Sequence, residues 1–210
     1  MPETYINLVF EDILSETVVR KLLHCAAATY GVGAVHNGGG FGWIKKKIKD
    51  FNSAAKGMPY LVLTDLDTCE CAPTLIRQWL NTPKHPNLLF RVAVREVEAW
   101  LLGCREAFAA FLGVPESRIP ADVEAIADPK VFVVNLARRS RKRDVRLDIV
   151  PEDGSTAKVG PAYNARLRFF VETSWDPAVA KTRSPSLRRT MNALDVFQPV
   201  LLSPYSSDSC

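Results

Sequence analysis

The chain has 210 residues, 47% of them hydrophobic and 24% charged, with a formal net charge of +4. That length suits one domain with a substantial core and a small helical appendage. No apolar run approaches the roughly 20 residues needed to cross a bilayer. The opening Met-Pro-Glu-Thr-Tyr carries an acid where a secretory leader carries basic residues, so a cytoplasmic location is expected. The five cysteines (Cys25, Cys69, Cys71, Cys104 and Cys210) are odd in number and scattered. They read as free thiols rather than a disulfide framework, and Cys69-Glu70-Cys71 lacks the second pair a structural zinc needs.

Tyr5–Phe10 is a compact β-prone run that stops at Glu11-Asp12. Val18, Val19, Leu22, Leu23 and Ala26 then recur at helical spacing, with Ser15 as the expected N-cap. Val32–His36 predicts a second strand. Asn37-Gly-Gly-Gly reads as a mobile turn, because it has neither the Gly-Lys-Ser/Thr ending of a P-loop nor dinucleotide-fingerprint spacing. Trp43, Ile44, Ile48 and Phe51 mark an amphipathic helix studded with Lys45, Lys46, Lys47 and Lys49. Tyr60–Leu63 is a strand closed by Thr64-Asp65-Leu66-Asp67. A helix over 72–80, a strand over 87–94 and a long helix over 96–112, with a break near Gly103, complete the alternating part. Alternation of this kind implies right-handed crossovers, a mostly parallel sheet and helices on both faces. The last hundred residues show only helical patterns, at 129–139, 163–172 and 186–197. These divide the chain into an α/β domain over 1–140 and a helical extension over 141–210, ending in a frayed tail from Pro204 to Cys210.

Two apolar runs end directly in acids, Phe10 before Glu11-Asp12 and Thr64 before Asp65-Leu66-Asp67. In an open parallel sheet, ligands bind at the carboxyl ends of strands near a switch in strand order, so these acids can meet in space. In extended backbone Asp65 and Asp67 would point to the same side. Gathered carboxylates repel unless a cation neutralises them, and hard oxygen donors suit Mg²⁺ or Mn²⁺. Such a metal can activate the attacking oxygen in phosphoryl chemistry. The competing reading is that acids after strands serve as N-caps or solvated turn residues.

The segments Leu8-Val9-Phe10-Glu11-Asp12, Thr64-Asp65-Leu66-Asp67 and Arg95-Glu96-Val97-Glu98-Ala99-Trp100-Leu101-Leu102-Gly103 resemble, in order and spacing, a bacterial Toprim-like family of uncharacterised function. That family is distantly similar to the nuclease domain of overcoming-lysogenization-defect proteins. The resemblance covers about residues 5 to 140. It implies a Toprim-like α/β fold and a Mg²⁺-dependent (or Mn²⁺-dependent) phosphodiester site. Glu11 would be the general acid/base or a metal ligand, Asp65 and Asp67 metal ligands, and Glu98 a further acid. Asp12, Glu16 and Glu96 form a second tier. On a helix Glu96 and Glu98 lie on roughly opposite sides, so one at most should face a shared site, and Glu98, beside Trp100, is the inward candidate. Departures are Asp12 where the fold has a glycine, Glu16 one residue further along than usual, and Cys104 where the family carries an acid.

Arg138, Arg139, Arg141, Lys142 and Arg143 form the densest charge cluster. With the lysines at 45–49 they could line a phosphate backbone, or they could be a solvated helix end. His24 reads as structural among Leu22, Leu23 and Cys25, and His36, at the mouth of the glycine turn, as a site candidate. Two functional readings follow. The first is a metal-dependent nuclease or phosphotransferase acting on nucleic acid, which the resemblance links to bacterial anti-phage defence and an ATPase partner. The second is a catalytically inactive binding or assembly module of the same fold.

Overall fold

A computed structural model describes residues 3–200; the tail from Pro204 to Cys210 lies outside them. The protein is α/β, and the described residues form four strands: β1 (Thr4–Phe10), β2 (Tyr30–Asn37), β3 (Tyr60–Asp65) and β4 (Leu88–Ala93). They form one all-parallel sheet in the order β2-β1-β3-β4. The intervening helices are α1 (Ile13–Cys25), α2 (Phe41–Ala54) and α3 (Ala72–Leu80). After β4 come α4 (Val97–Leu102), α5 (Arg105–Leu112), α6 (Pro129–Arg138), α7 (Arg143–Ile149), α8 (Tyr163–Thr173), α9 (Pro177–Ala180) and α10 (Pro185–Val196).

The chain steps from β1 outward to β2, then back across to β3 and on to β4. Right-handed crossovers made in opposite directions put their helices on opposite faces. Alternation along each strand supplies the contacts. Ile6, Leu8, Phe10, Leu61 and Leu63 pack with α1 on one face, while Val9, Val62, Phe90 and Val92 pack with α2 and α3 on the other. The turn of direction leaves a crevice between the carboxyl ends of β1 and β3.

The first face carries far more than α1. One continuous hydrophobic cluster runs from Ile6 through Trp100, Phe108, Val133, Tyr163 and Phe170 to Leu194. Residues beyond 140 therefore share the core of the α/β unit, and Tyr30 at the start of β2 donates its hydroxyl to the Leu194 carbonyl.

Local chemistry fixes the boundaries. The N-cap of α1 is Asp12, whose carboxylate accepts from the Ser15 N–H at 2.8 Å, so Ser15 lies inside the helix rather than capping it. The long helix expected over 96–112 breaks into α4 and α5 at Gly103-Cys104. Gly103 sits so close to α9 that a Cβ there would meet the Ala180 carbonyl oxygen at 2.7 Å. In β1 the register against β2 shifts between Ile6 and Leu8. The buried Asn7 side chain bridges the shift by accepting from the Ala34 N–H at 2.7 Å. Cys25, Cys69, Cys71 and Cys104 are free thiols. Among the described residues no helix is long and apolar enough to cross a membrane.

Candidate acidic site at the strand ends

Glu11 is the first residue past β1, and Thr64-Asp65 closes β3 on the neighbouring strand. The Glu11 carboxylate bridges this gap through Oε1, which accepts from the Thr64 hydroxyl and from the Asp65 N–H, the latter at 3.1 Å. Asp65 turns the other way, and its Oδ1 accepts from the Val97 N–H at 3.0 Å. Each carboxylate is thus anchored by one oxygen. Glu11 Oε2 and Asp65 Oδ2 have no protein donor among the described residues.

The two acids sit in a field of like charge. Burial is the main reason the Glu11 carboxyl holds its proton more tightly than an ordinary glutamate, with Asp67 and Asp12 adding repulsion against the lowering effect of its two hydrogen bonds. Asp65 is pushed up much further, by burial first and then by Glu98, Glu11 and Asp12.

Asp67 departs from the expectation of a shared extended backbone with Asp65. β3 ends at Asp65, and Asp67 lies in a turn with φ +49°, a left-handed conformation that aspartate tolerates better than most residues. The Arg95 guanidinium holds this turn through the Asp67 and Cys69 carbonyls, at 3.1 and 2.7 Å. Asp67 is exposed, close enough to raise the pKa of Glu11 and of Glu96 without joining a chelate. Among the described residues no three His, Cys, Asp or Glu side chains are arranged to hold a metal ion.

A second layer comes from later in the chain. Glu98 is 2% exposed. It accepts from the Tyr163 hydroxyl at 3.0 Å and stands 3.7 Å from the Lys130 ammonium. Burial pushes its carboxyl up to about 7, with Lys130 pulling the other way and Glu96 adding repulsion. Glu96 does not follow the helical-spacing argument. It is the extended N-cap of α4, so it also reaches this cluster, its Oε2 accepting from the Lys130 N–H at 2.8 Å. Lys130 loses hydration on burial, but Glu98, Glu96, Asp65 and Asp12 more than restore its charged form. Comparison with protein-family models, curated proteins and solved structures finds no match.

The site therefore gathers Asp12, Asp65, Glu96 and Glu98 around one lysine, with Glu11 beside Asp65 and Asp67 at the exposed margin. Glu16 is not part of it: it pairs with Arg20 at 2.8 Å in a groove between α1 and α8. Lys130 and Tyr163 were missed by sequence reasoning. A signal for Lys130 existed, since it is a cation in the first turn of a helix capped by Asp128, where the macrodipole disfavours positive charge unless acids are near. Tyr163 has no such signature.

The basic segment begins at the other end of α6, eight residues and so about 12 Å from Lys130 along the helix axis. Arg138, Arg139, Arg141 and Arg143 are exposed. Lys142 is exposed as well, and its ammonium donates to the Ala110 and Phe111 carbonyls at the end of α5. His24 is exposed rather than structural. His36 stacks against Tyr60 and leans on Phe51, with its Nε2 buried and unpartnered.

Proposed function

We propose that the strand-end acids bind Mg²⁺ or Mn²⁺ and that the chain performs metal-dependent phosphodiester or phosphoryl-transfer chemistry on nucleic acid, as its resemblance to the Toprim-like family implies. The observation that carries this reading is the pair Glu11 and Asp65. Both are held at the β1–β3 switch point by one oxygen, both keep a second oxygen free of protein donors, and both have raised pKa values. Mg²⁺ characteristically binds through one or two carboxylates with waters and a substrate phosphate, so this donor set fits it without an all-protein cage. Bound there, the ion would polarise a phosphoryl oxygen and lower the pKa of an attacking water. The chain's own groups have complementary tasks. Asp65 and Glu11 would hold the ion through their second oxygens and so orient the water and phosphate that share it. Lys130 offers positive charge to a non-bridging phosphate oxygen. Asp65→Ala should abolish Mg²⁺- or Mn²⁺-dependent cleavage of plasmid, RNA or tRNA. Cleavage at the wild-type rate in that variant would refute the assignment.

Lys130 favours a second reading. An ammonium already lodged among these acids at 3.7 Å from Glu98 can serve as an internal counter-ion, as expected of a non-catalytic binding module. Under that reading no metal supports turnover, and Lys130→Met loses stability without any change in metal response.

A further inference from the structure

We infer that the groove along the outer edge of β4, between α3 and α10, is a phosphate-binding surface that holds a nucleic-acid backbone. It is separate from the strand-end acids and from the arginines beyond α6.

The groove encloses about 450 Å³, and its lining includes Ile76, Phe90, Arg91, Ser186 and Arg189. A second groove of the same volume shares Ile76 and continues past Arg77 to Lys84. Neither is lined by an acid, so four cations, Arg77, Lys84, Arg91 and Arg189, line these two adjoining grooves. Arg91 decides its character. It is half-buried, and its Nε–H donates to the Thr190 hydroxyl at 3.3 Å, which fixes the plane of the guanidinium and leaves its terminal N–H groups without an acceptor among the described residues. Among those residues, none of Lys84, Arg91 and Arg189 makes an ion pair. They face each other instead. Burial and then Arg189 pull the Arg91 pKa down, and burial and then Arg91 pull that of Lys84 down. A partly desolvated arginine with only like-charged neighbours is unfavourable unless an anion joins it. A guanidinium with its fork oriented is well matched to two phosphate oxygens.

The alternative occupant of a sheet edge is an added peptide strand. Here the edge is largely taken. Lys84 Nζ caps the outward Leu88 carbonyl at 2.8 Å, Ser186 Oγ accepts from the outward Val94 N–H at 3.2 Å, and α10 packs across β4. Only the stretch at Phe90–Val92 between these caps remains, too short for a strand to pair. Phe90 itself is 2% exposed, so the groove has no aromatic platform for bases, and recognition would run through the backbone irrespective of sequence.

The test uses the full chain in EDTA, so that its outcome is independent of whether the acidic site binds metal or turns over. Fluorescence anisotropy against salt is recorded with a labelled DNA duplex of mixed sequence, its RNA counterpart, and poly-glutamate. The wild type should bind DNA, RNA or both with a steep salt dependence. Arg91→Ala/Arg189→Ala should weaken that binding at least about tenfold and lower the log–log salt slope by about 2. Arg189→Ala alone changes an exposed side chain that the fold does not need, and should lower the slope by about 1. The proposal is overturned if the wild type binds neither nucleic acid, if it binds only poly-glutamate, or if the slopes of both variants equal that of the wild type.

Discussion

Lys130 stands at the positive end of α6, against the helix dipole, and only the surrounding carboxylates make that position favourable. Lys130→Met leaves Glu98 buried with Tyr163 as its remaining partner. Because the lysine is one-third exposed, its loss should cost about 2 kcal/mol near pH 8. It should cost less near pH 5, where Glu98 is protonated, and chemical denaturation at the two pH values would read the difference. The acids themselves set the sign of the wider pH response. Glu11, Asp65 and Glu98 have folded pKa values above their unfolded ones, so their contribution to stability is complete below about pH 4. That contribution declines as pH rises through the folded values, about 7 for Glu98. The thermal midpoint should therefore fall from about pH 5 to about pH 8. Asp65→Asn keeps the acceptor for Val97 N–H but removes the charge. It should raise the midpoint near pH 8 by a few degrees and flatten the profile, the behaviour of a site strained for function. A midpoint unchanged or lowered near pH 8 would contradict this. Glu11 and Asp65 could be placed from sequence because they directly end apolar strand runs. Asp67 could not be placed as well, since its left-handed turn depends on Arg95, nearly thirty residues away.

The elements meet at single polar atoms. Ser186 Oγ, on α10, accepts both the Trp100 indole N–H at 2.7 Å and the Val94 N–H at 3.2 Å, joining α10 to α4 and to the end of β4. Ser186→Ala leaves two donors in a buried site and should destabilise by about 2–3 kcal/mol, read as a shift in denaturation midpoint at constant m-value. The strand and helix order was legible because period-2 and period-3.6 patterns are local. The Glu96–Glu98 geometry was not, because α4 begins at Val97 and helical spacing does not extend to its N-cap, Glu96. The same limit explains Ser15, which lies in the first turn while Asp12 provides the cap.

At the scale of the molecule, the alternating β/α pattern led to a parallel sheet with helices on both faces, and that is the observed architecture. Sequence patterning did not reveal how deeply the last helices enter the core. Leu167, Phe170, Leu187 and Leu194 are all buried in the cluster that contains Ile6 and Trp100, and Tyr163 brings its hydroxyl to Glu98. Their apolar spacing reported amphipathic helices, and only tertiary structure shows what those faces cover. A chain ending at residue 140 should consequently fail to fold, and the whole protein should unfold in one cooperative transition by calorimetry.

We propose that Glu11 and Asp65, carried to adjacent strand ends, share an ion. Calorimetric titration of Mn²⁺ into the wild type and into Asp65→Asn decides whether they do. Saturable binding at one site per chain, lost in a variant whose fold is intact, is the predicted result. Absence of binding by the wild type, or binding of equal affinity in the variant, would contradict it.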